Sequence, residues 1–142
     1  QGSVLSPTLF CIMINDLFAG IDPTIQHSLY ADDGALWVTS DTLEDASTLM
    51  QDALHIIEAW SHRWGLEFSL DKTKAVLFTK RRLRTIPTLY LLNKPIKYAQ
   101  EYKFLGVHFD RHIIWSSHIS YVQARCQKDV RLLNMIAKIF VS

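Results

Sequence analysis

The sequence YADDG at residues 30–34 joins two apolar runs, which predict strands over residues 25–29 and 35–39. Adjacent carboxylates such as Asp32 and Asp33 repel each other unless a cation or hydrogen bonds compensate their charge. Asp-Gly is also a strong signal for a short hairpin, because Asp favours turns through local hydrogen bonds. The stretch therefore predicts a β-hairpin whose tip is either a plain turn or a site that binds a cation.

Helices and further strands are predicted on both sides of this hairpin. Ser6 is expected to cap an apolar helix that Pro7 begins. Apolar residues on all faces of this helix predict that it is buried, and Gly20 is expected to end it. Apolar residues at steps of three and four predict a helix from residue 43 to 64, ended by Gly65, and another after Ser116, over residues 119–140. Strands predicted at 66–70, 75–79, 88–92, 96–98 and 102–109 complete an α+β order, with an antiparallel sheet covered on one face.

The composition is that of one globular domain. The chain has 142 residues, of which 49% are hydrophobic and 20% charged, which suits a buried core rather than disorder. No apolar run reaches the roughly 18 residues of a membrane span, and residues 1–20 lack the pattern of a signal peptide. We expect Cys11 and Cys126 to be reduced core thiols of an intracellular protein. His108 and His112 flank a predicted loop, which does not favour zinc.

The net charge of +1 conceals a division along the chain. Residues 1–70 hold ten acidic residues and one basic residue, whereas residues 71–142 hold four acidic and fourteen basic residues. The first half therefore carries −9 and the second +10. This asymmetry indicates either a polyanionic partner for the second half or charges that pair across the fold and leave a solvated face.

Five blocks, in order, resemble the palm of the reverse transcriptases of non-LTR (LINE-like) retrotransposons. QGSVLSP at 1–7 through INDL at 14–17 is similar to the second palm motif, and YADD at 30–33 is similar to the catalytic motif. GL at 65–66 with KTK at 72–74 resembles the next block, FLGV at 104–107 resembles the primer-grip hairpin, and Trp115, His118 and Ile119 resemble the start of the thumb helix. Met13 and Ser69 differ from the residues common there. The family's first palm motif, with another metal-binding Asp, lies upstream of the second and is not in this chain.

The resemblance implies an α+β fold, in which an antiparallel palm sheet with a YADD hairpin packs on helices over residues 1–112. Residues 113–142 would be the start of a helical thumb. It also implies part of an RNA-directed DNA polymerase that copies retrotransposon RNA into DNA. Its partners would be an RNA template, a DNA primer, deoxynucleoside triphosphates and the upstream part of the same polyprotein, without a membrane. We expect such a protein in the nucleus and cytoplasm.

Metal-ion chemistry would give the adjacent carboxylates a role. Two ions about 4 Å apart stabilise the attacking and leaving oxygens of an in-line displacement at phosphorus, and Mg²⁺ takes carboxylate oxygens as ligands. The resemblance implies that Asp32 and Asp33 are catalytic and bind two Mg²⁺ ions, with Mn²⁺ as a substitute. Bound cations would also explain how two neighbouring anions are tolerated.

The resemblance implies contacts with substrates at three further groups of residues. The nucleotide and template side would be lined by Gln1, Gly2, Ser3, Tyr30, Ala31, Lys72 and Lys74. The primer grip would be formed by Phe104, Leu105 and Gly106. Phosphates would be contacted by Lys80, Arg81, Arg82 and Arg84. Plainer alternatives are solvated turn charges at 72 and 74, a core strand at 104 and 105, and a nuclear-import-like signal for the basic cluster.

Three functions remain open at this point. The first is a polymerase fragment, for which the ordered blocks argue. The second is a palm remnant that holds nucleic acid without chemistry, and the third is a degenerate genomic relic. For the isolated chain we expect no polymerase activity, because one carboxylate of the expected set and the fingers region are absent from it.

Overall fold

The computed structural model describes residues 4–81 and 85–140, with side chains as far as residue 137. The described helices are α1 (Ser6–Ile14), α2 (Leu43–Trp64) and α3 (Ser116–Phe140). The described strands are β1 (Gln26–Tyr30), β2 (Asp33–Trp37), β3 (Lys74–Ala75), β4 (Tyr90–Leu91), β5 (Lys94–Pro95), β6 (Lys97–Tyr98), β7 (Glu101–Phe104) and β8 (Val107–Asp110). Antiparallel hairpins form from β1 with β2, β4 with β5, and β7 with β8. This mixture of helices and small antiparallel sheets agrees with the α+β prediction.

Helix α2 has the bounds that its apolar periodicity predicts. Thr42 caps it, because its hydroxyl accepts the backbone N–H of Asp45 at 3.1 Å, and the acidic Glu44 and Asp45 suit the positive end of the helix dipole. Gly65 ends the helix in the left-handed region, with φ +64°, where glycine avoids the strain of a Cβ atom. Local signals alone therefore set both ends of this helix.

The buried face of α2 forms the core beneath the first hairpin. Ile57 and Trp60 pack with Leu17, and each of these three side chains is less than 8% exposed. Leu29 of β1 and Leu36 of β2 pack against this cluster. One face of the hairpin therefore packs against α2 and the segment that follows α1.

Polar side chains of α2 also hold strand β4. The amide of Gln51 donates to the carbonyl oxygen of Tyr90 at 3.0 Å and accepts the N–H of Tyr90 at 2.8 Å. About two turns further along the same face, the carboxylate of Glu58 accepts the N–H of Leu92, the residue after β4. These contacts supply β4 with hydrogen bonds that a neighbouring strand would otherwise provide.

Helix α1 differs from the prediction of a buried helix. None of its residues is buried, and Leu9 and Ile12 are 62% and 69% exposed. A helix that is apolar all round needs neighbours on every side, and the described residues cover it on one side only. Ser6 is the first helical residue rather than the cap, and the helix ends at Ile14, well before Gly20. Cys11 and Cys126 are both exposed, so the expectation of core thiols was wrong.

Several predicted strands are shorter or absent. Residues 66–70 form no strand, because the chain turns where the carbonyl oxygen of Ser69 accepts the N–H groups of Lys72 and Thr73 and the hydroxyl of Thr73. The strand predicted at 75–79 is reduced to β3. The single strand predicted over 102–109 is instead the β7–β8 hairpin, because Leu105 and Gly106 form its loop.

The described chain divides into two compact units. The first covers residues 4–75 and 85–97, and the second covers residues 76–81 and 98–140. All nine buried hydrophobic residues of the described chain belong to the first unit. No helix in the described ranges combines the length and the apolar character that crossing a bilayer requires.

Candidate functional site

The β1–β2 hairpin has a two-residue loop formed by Ala31 and Asp32. Tyr30 pairs with Asp33 across the hairpin, so Asp33 is already the first residue of β2. Gly34 lies within the strand opposite Leu29, so the expectation that Asp-Gly forms the turn was wrong. The register therefore places one carboxylate in the loop and the other at the adjacent strand position.

Both carboxylates at the hairpin tip are exposed to solvent. Ala31 beside them has φ +52°, a conformation that costs an L-residue roughly 1–2 kcal/mol. The side chain of Tyr30 is 68% exposed on the preceding strand position. The tip is thus a tight hairpin end at which two carboxylates and an aromatic ring are exposed.

The donor chemistry of this tip fits Mg²⁺. Magnesium is commonly bound through one or two carboxylates, with water and substrate phosphates completing its ligands. Asp32 and Asp33 supply two carboxylates on consecutive residues. Among the described residues, no group of three or more His, Cys, Asp or Glu side chains is placed to hold a metal ion. Two carboxylates would be only part of the ligand set of such an ion.

A cavity of about 190 Å³ separates the hairpin from α1. Its lining comes from two segments of the first unit, and consists of Phe10, Cys11, Ile14, Asn15, Leu29 and Ala31. The α1 segment and the YADD segment, which are far apart in the sequence, therefore meet at this cavity. Sequence reasoning missed these α1 residues, although the four-residue spacing of Cys11 and Asn15 places both on one helix face.

A hydrogen bond fixes the chain just after α1. The indole N–H of Trp60 donates to Oδ1 of Asp16 at 2.7 Å. Leu17, the next residue, is buried against the same indole. Helix α2 thereby holds the segment that leads from the cavity wall to the hairpin.

The predicted basic residues occupy different parts of the described chain. Lys72 lies exposed in the turn at Ser69, and Lys74 is half-buried in β3. Lys80 and Arg81 are exposed in the second unit. The predicted site residues that lie outside the described residues are Gln1, Gly2, Ser3, Arg82 and Arg84.

The primer-grip segment forms the loop of the β7–β8 hairpin. Phe104 pairs with Val107, and the loop residues Leu105 and Gly106 have φ +47° and +87°. Positive φ at both loop positions is typical of the tight turns that match the twist of paired strands. Leu105 is 47% exposed at the tip and Phe104 is half-buried, so the alternative of a core strand is wrong for Leu105.

A cluster of cations and rings that sequence reasoning missed joins this hairpin to α3. Nζ of Lys103 and Nη1 of Arg125 each donate to the hydroxyl oxygen of Tyr121, at 3.1 and 3.2 Å. The hydrogen bond from Lys103, followed by that from Arg125, lowers the pKa of Tyr121 below its ordinary value. The four-residue spacing of 121 and 125 on a helix was the available signal, but nothing local indicates that Lys103 joins them.

Asp110 organises the start of α3. Its carboxylate accepts the N–H groups of Ile114, Trp115 and His112 at 2.8 to 3.1 Å. These bonds, that from Ile114 first, lower the pKa of Asp110. The carboxylate thereby fixes the direction in which the chain leaves β8.

The sequence is similar to known proteins of one family. A family model described as "Reverse transcriptase (RNA-dependent DNA polymerase)" matches residues 1–109. The chain is 32% identical over 138 residues to the probable RNA-directed DNA polymerase from transposon X-element of Drosophila melanogaster, covering 92% of this chain. It is 30% identical over 129 residues, or 87% of this chain, to the RNA-directed DNA polymerase from mobile element jockey of the same species.

The match extends to a more distant insect protein. A retrovirus-related Pol polyprotein from a type-1 retrotransposable element of Nasonia vitripennis is 22% identical over 145 residues, covering 97% of this chain and 35% of that protein. The chain spans only 14% of the length of each of the two Drosophila relatives. No solved structure matches significantly.

Proposed function

The chain belongs to the reverse transcriptase family and is similar to the polymerases of LINE-like retrotransposons. We therefore propose that it forms the metal-binding part of an RNA-directed DNA polymerase. The reaction would be attack of a primer 3′-hydroxyl on the α-phosphate of an incoming deoxynucleoside triphosphate, directed by an RNA template. The observation that carries this proposal is the β1–β2 tip. It places Asp32 in the loop and Asp33 at the adjacent strand position, both exposed and within the matched region.

In this proposal Asp32 is a direct ligand of Mg²⁺, and Asp33 is a second ligand or a nearby charge. Two bound ions would stabilise the attacking and leaving oxygens of the displacement. The chain's own contribution would be the tight hairpin, which holds Asp32 in the loop and Asp33 at the first position of β2. The third carboxylate of the expected set would come from the upstream part of the same polyprotein.

The surroundings of the tip support roles in positioning substrates. Ala31 has a small side chain beside the cavity that α1 lines, and it leaves room for a nucleotide next to the exposed ring of Tyr30. Gln1, Gly2 and Ser3 would line the template side. Lys72 or Lys74 would meet the triphosphate, where a positioned lysine can give a proton to the leaving group.

The remaining assignments extend the proposal along the chain. Residues 1–112 would be the palm, with Phe104, Leu105 and Gly106 as the primer grip, and residues 113–142 would begin the thumb. Phosphates would be contacted by Lys80, Arg81, Arg82 and Arg84, which gives affinity that depends on salt and not on base sequence. The polymerase would act in the nucleus and cytoplasm.

Primer extension tests this function. The full-length protein that contains this chain, given an RNA template, a DNA primer, deoxynucleotides and Mg²⁺, is compared with its Asp32→Asn variant. Because metal ions contribute several kcal/mol of transition-state stabilisation, we expect extension to fall at least about 100-fold. Asp22→Asn, an exposed carboxylate elsewhere in the first unit, is the matched control and should retain activity.

Two further results bear on the alternatives. Equal extension by wild type and Asp32→Asn would overturn the proposal. If both lack activity yet bind nucleic acid with salt-dependent affinity, the chain is a non-catalytic binding remnant. We also propose that the 142-residue chain alone does not extend primers, and extension by it would contradict that proposal.

A further inference from the structure

Lys103 and Arg125 have N–H donors that their hydrogen bonds to Tyr121 do not use. A lysine ammonium carries three N–H donors and an arginine guanidinium carries five. Each cation uses one contact on the hydroxyl oxygen of Tyr121, and neither has a carboxylate within 4.0 Å among the described residues. Within the described part of the chain, two positive charges are therefore held together without a carboxylate partner.

The cluster also fixes these cations in position. Nζ of Lys103 lies 4.3 Å from the centre of the Tyr121 ring, and the guanidinium carbon of Arg125 lies 5.8 Å from the same centre. The attraction of a cation to an aromatic face adds to both hydrogen bonds. Because both nitrogens lie within hydrogen-bond distance of one oxygen, a single phosphate group can accept a bond from each.

Aromatic rings continue from this point along α3. The ring of His108, opposite Lys103 in the β7–β8 hairpin, lies 4.9 Å from the ring of Tyr121. His118 in the first turn of α3 and Trp115 just before the helix follow at three-residue steps, with neighbouring ring centres 6.4 to 6.5 Å apart. All four rings are half-buried. Paired cations beside aromatic rings are the combination that binds single-stranded nucleic acid, through phosphates and stacked bases.

From these contacts we infer that Lys103 and Arg125, held by Tyr121, form a binding site for a phosphodiester of single-stranded nucleic acid. The net charge of +10 in residues 71–142 favours the same ligand. The inference rests on the proposed function for its choice of nucleic acid, but it requires neither Asp32 nor a metal ion. It adds a contact to those assigned to the basic residues at 80–84.

Binding of a fluorescent oligouridine of about 16 nucleotides to the 142-residue chain tests the site across a salt series. Single-stranded contacts contribute about 0.7 each to the slope of log affinity against log salt. The double variant Lys103→Gln, Arg125→Gln should bind at least about tenfold more weakly, with a slope shallower by about 1.4. Lys128→Gln, Arg131→Gln removes the same charge from exposed positions of α3 and should leave the slope unchanged.

A second measurement on the unaltered chain covers the case in which the double variant does not fold. Lysine acetylation is followed by mass spectrometry with and without the oligouridine, and we expect Lys103 to be protected while Lys128 is not. Equal acetylation of Lys103 in both states, or slopes that fall equally in both double variants, would overturn the inference. Asp32→Asn should bind the oligouridine normally, so loss of extension and loss of this site are separate outcomes.

Discussion

The indole nitrogen of Trp60 donates to Oδ1 of Asp16 at 2.7 Å across 44 residues of sequence. Trp60 is 7% exposed and packs with Leu17 and Ile57. Leu29 and Leu36 of the carboxylate hairpin rest on the same cluster. This single pair therefore links the end of α1, the core face of α2 and the support of the hairpin.

A double-mutant cycle measures that link. Asp16→Ala and Trp60→Phe each remove one partner, and Trp60→Phe keeps most of the buried ring. We expect the two changes to be non-additive by about 1 kcal/mol in the free energy of unfolding, the typical net value of such a hydrogen bond. Urea denaturation of the four proteins gives the coupling energy. Strict additivity would show that the bond contributes nothing to stability.

Replacement by alanine should destabilise the chain at Gly65 and have little effect at Gly34. Gly65 has φ +64°, so Gly65→Ala should lower the free energy of unfolding by about 1–2 kcal/mol. Gly34 does not have positive φ, and an added Cβ would lie 3.6 Å from side chains of Leu29 and Phe18, an ordinary contact. Gly34→Ala should change stability by less than about 0.5 kcal/mol. Equal losses in thermal denaturation would contradict the assignment of strain to Gly65.

Ala31 should tolerate glycine but not valine. Its φ of +52° suits glycine, whereas a β-branched side chain crowds the backbone there. We expect Ala31→Val to be less stable than Ala31→Gly by about 1–2 kcal/mol. Chemical denaturation of both variants checks this difference, with Ala35→Val and Ala35→Gly in the following strand as controls. There valine should be the more stable of the two.

The start of α3 should depend on pH through Asp110. Its pKa is lowered in the folded chain, chiefly by the N–H of Ile114, so the unfolded chain binds a proton more readily. The stabilisation is therefore present above the ordinary value of 3.8 and is lost as the pH falls through the lowered pKa. Asp110→Asn should reduce the melting temperature at pH 7 and flatten this acid dependence. A variant with the same acid dependence as wild type would refute the role.

Tyr121 should ionise at a lower pH than an ordinary tyrosine, because its pKa is lowered. Lys103 and then Arg125 stabilise its phenolate. Ultraviolet titration of wild type minus Tyr121→Phe isolates its contribution among the five tyrosines. Lys103→Met should raise the midpoint towards that of an ordinary tyrosine, and Lys128→Met should not. A difference spectrum that is unaffected by Lys103→Met would contradict the contact.

Local signals predicted the helices better than the strands. Thr42, Gly65 and the apolar repeat between them set the bounds of α2, because capping and periodicity are properties of neighbouring residues. Strands depend on partners elsewhere in the chain. The segment 66–70 has the alternation of a strand, yet hydrogen bonds to Ser69 turn the chain there.

The family and the adjacency of Asp32 and Asp33 could be read from the chain, since motif order and neighbouring residues are properties of the sequence. The position of the loop at Ala31 and Asp32 required the folded structure, because the register of two paired strands selects it. The fold also shows that α1 lines a cavity instead of filling a core, and that Lys103 meets Tyr121 across 18 residues. Such contacts depend on how distant segments pack, and no local pattern records that packing.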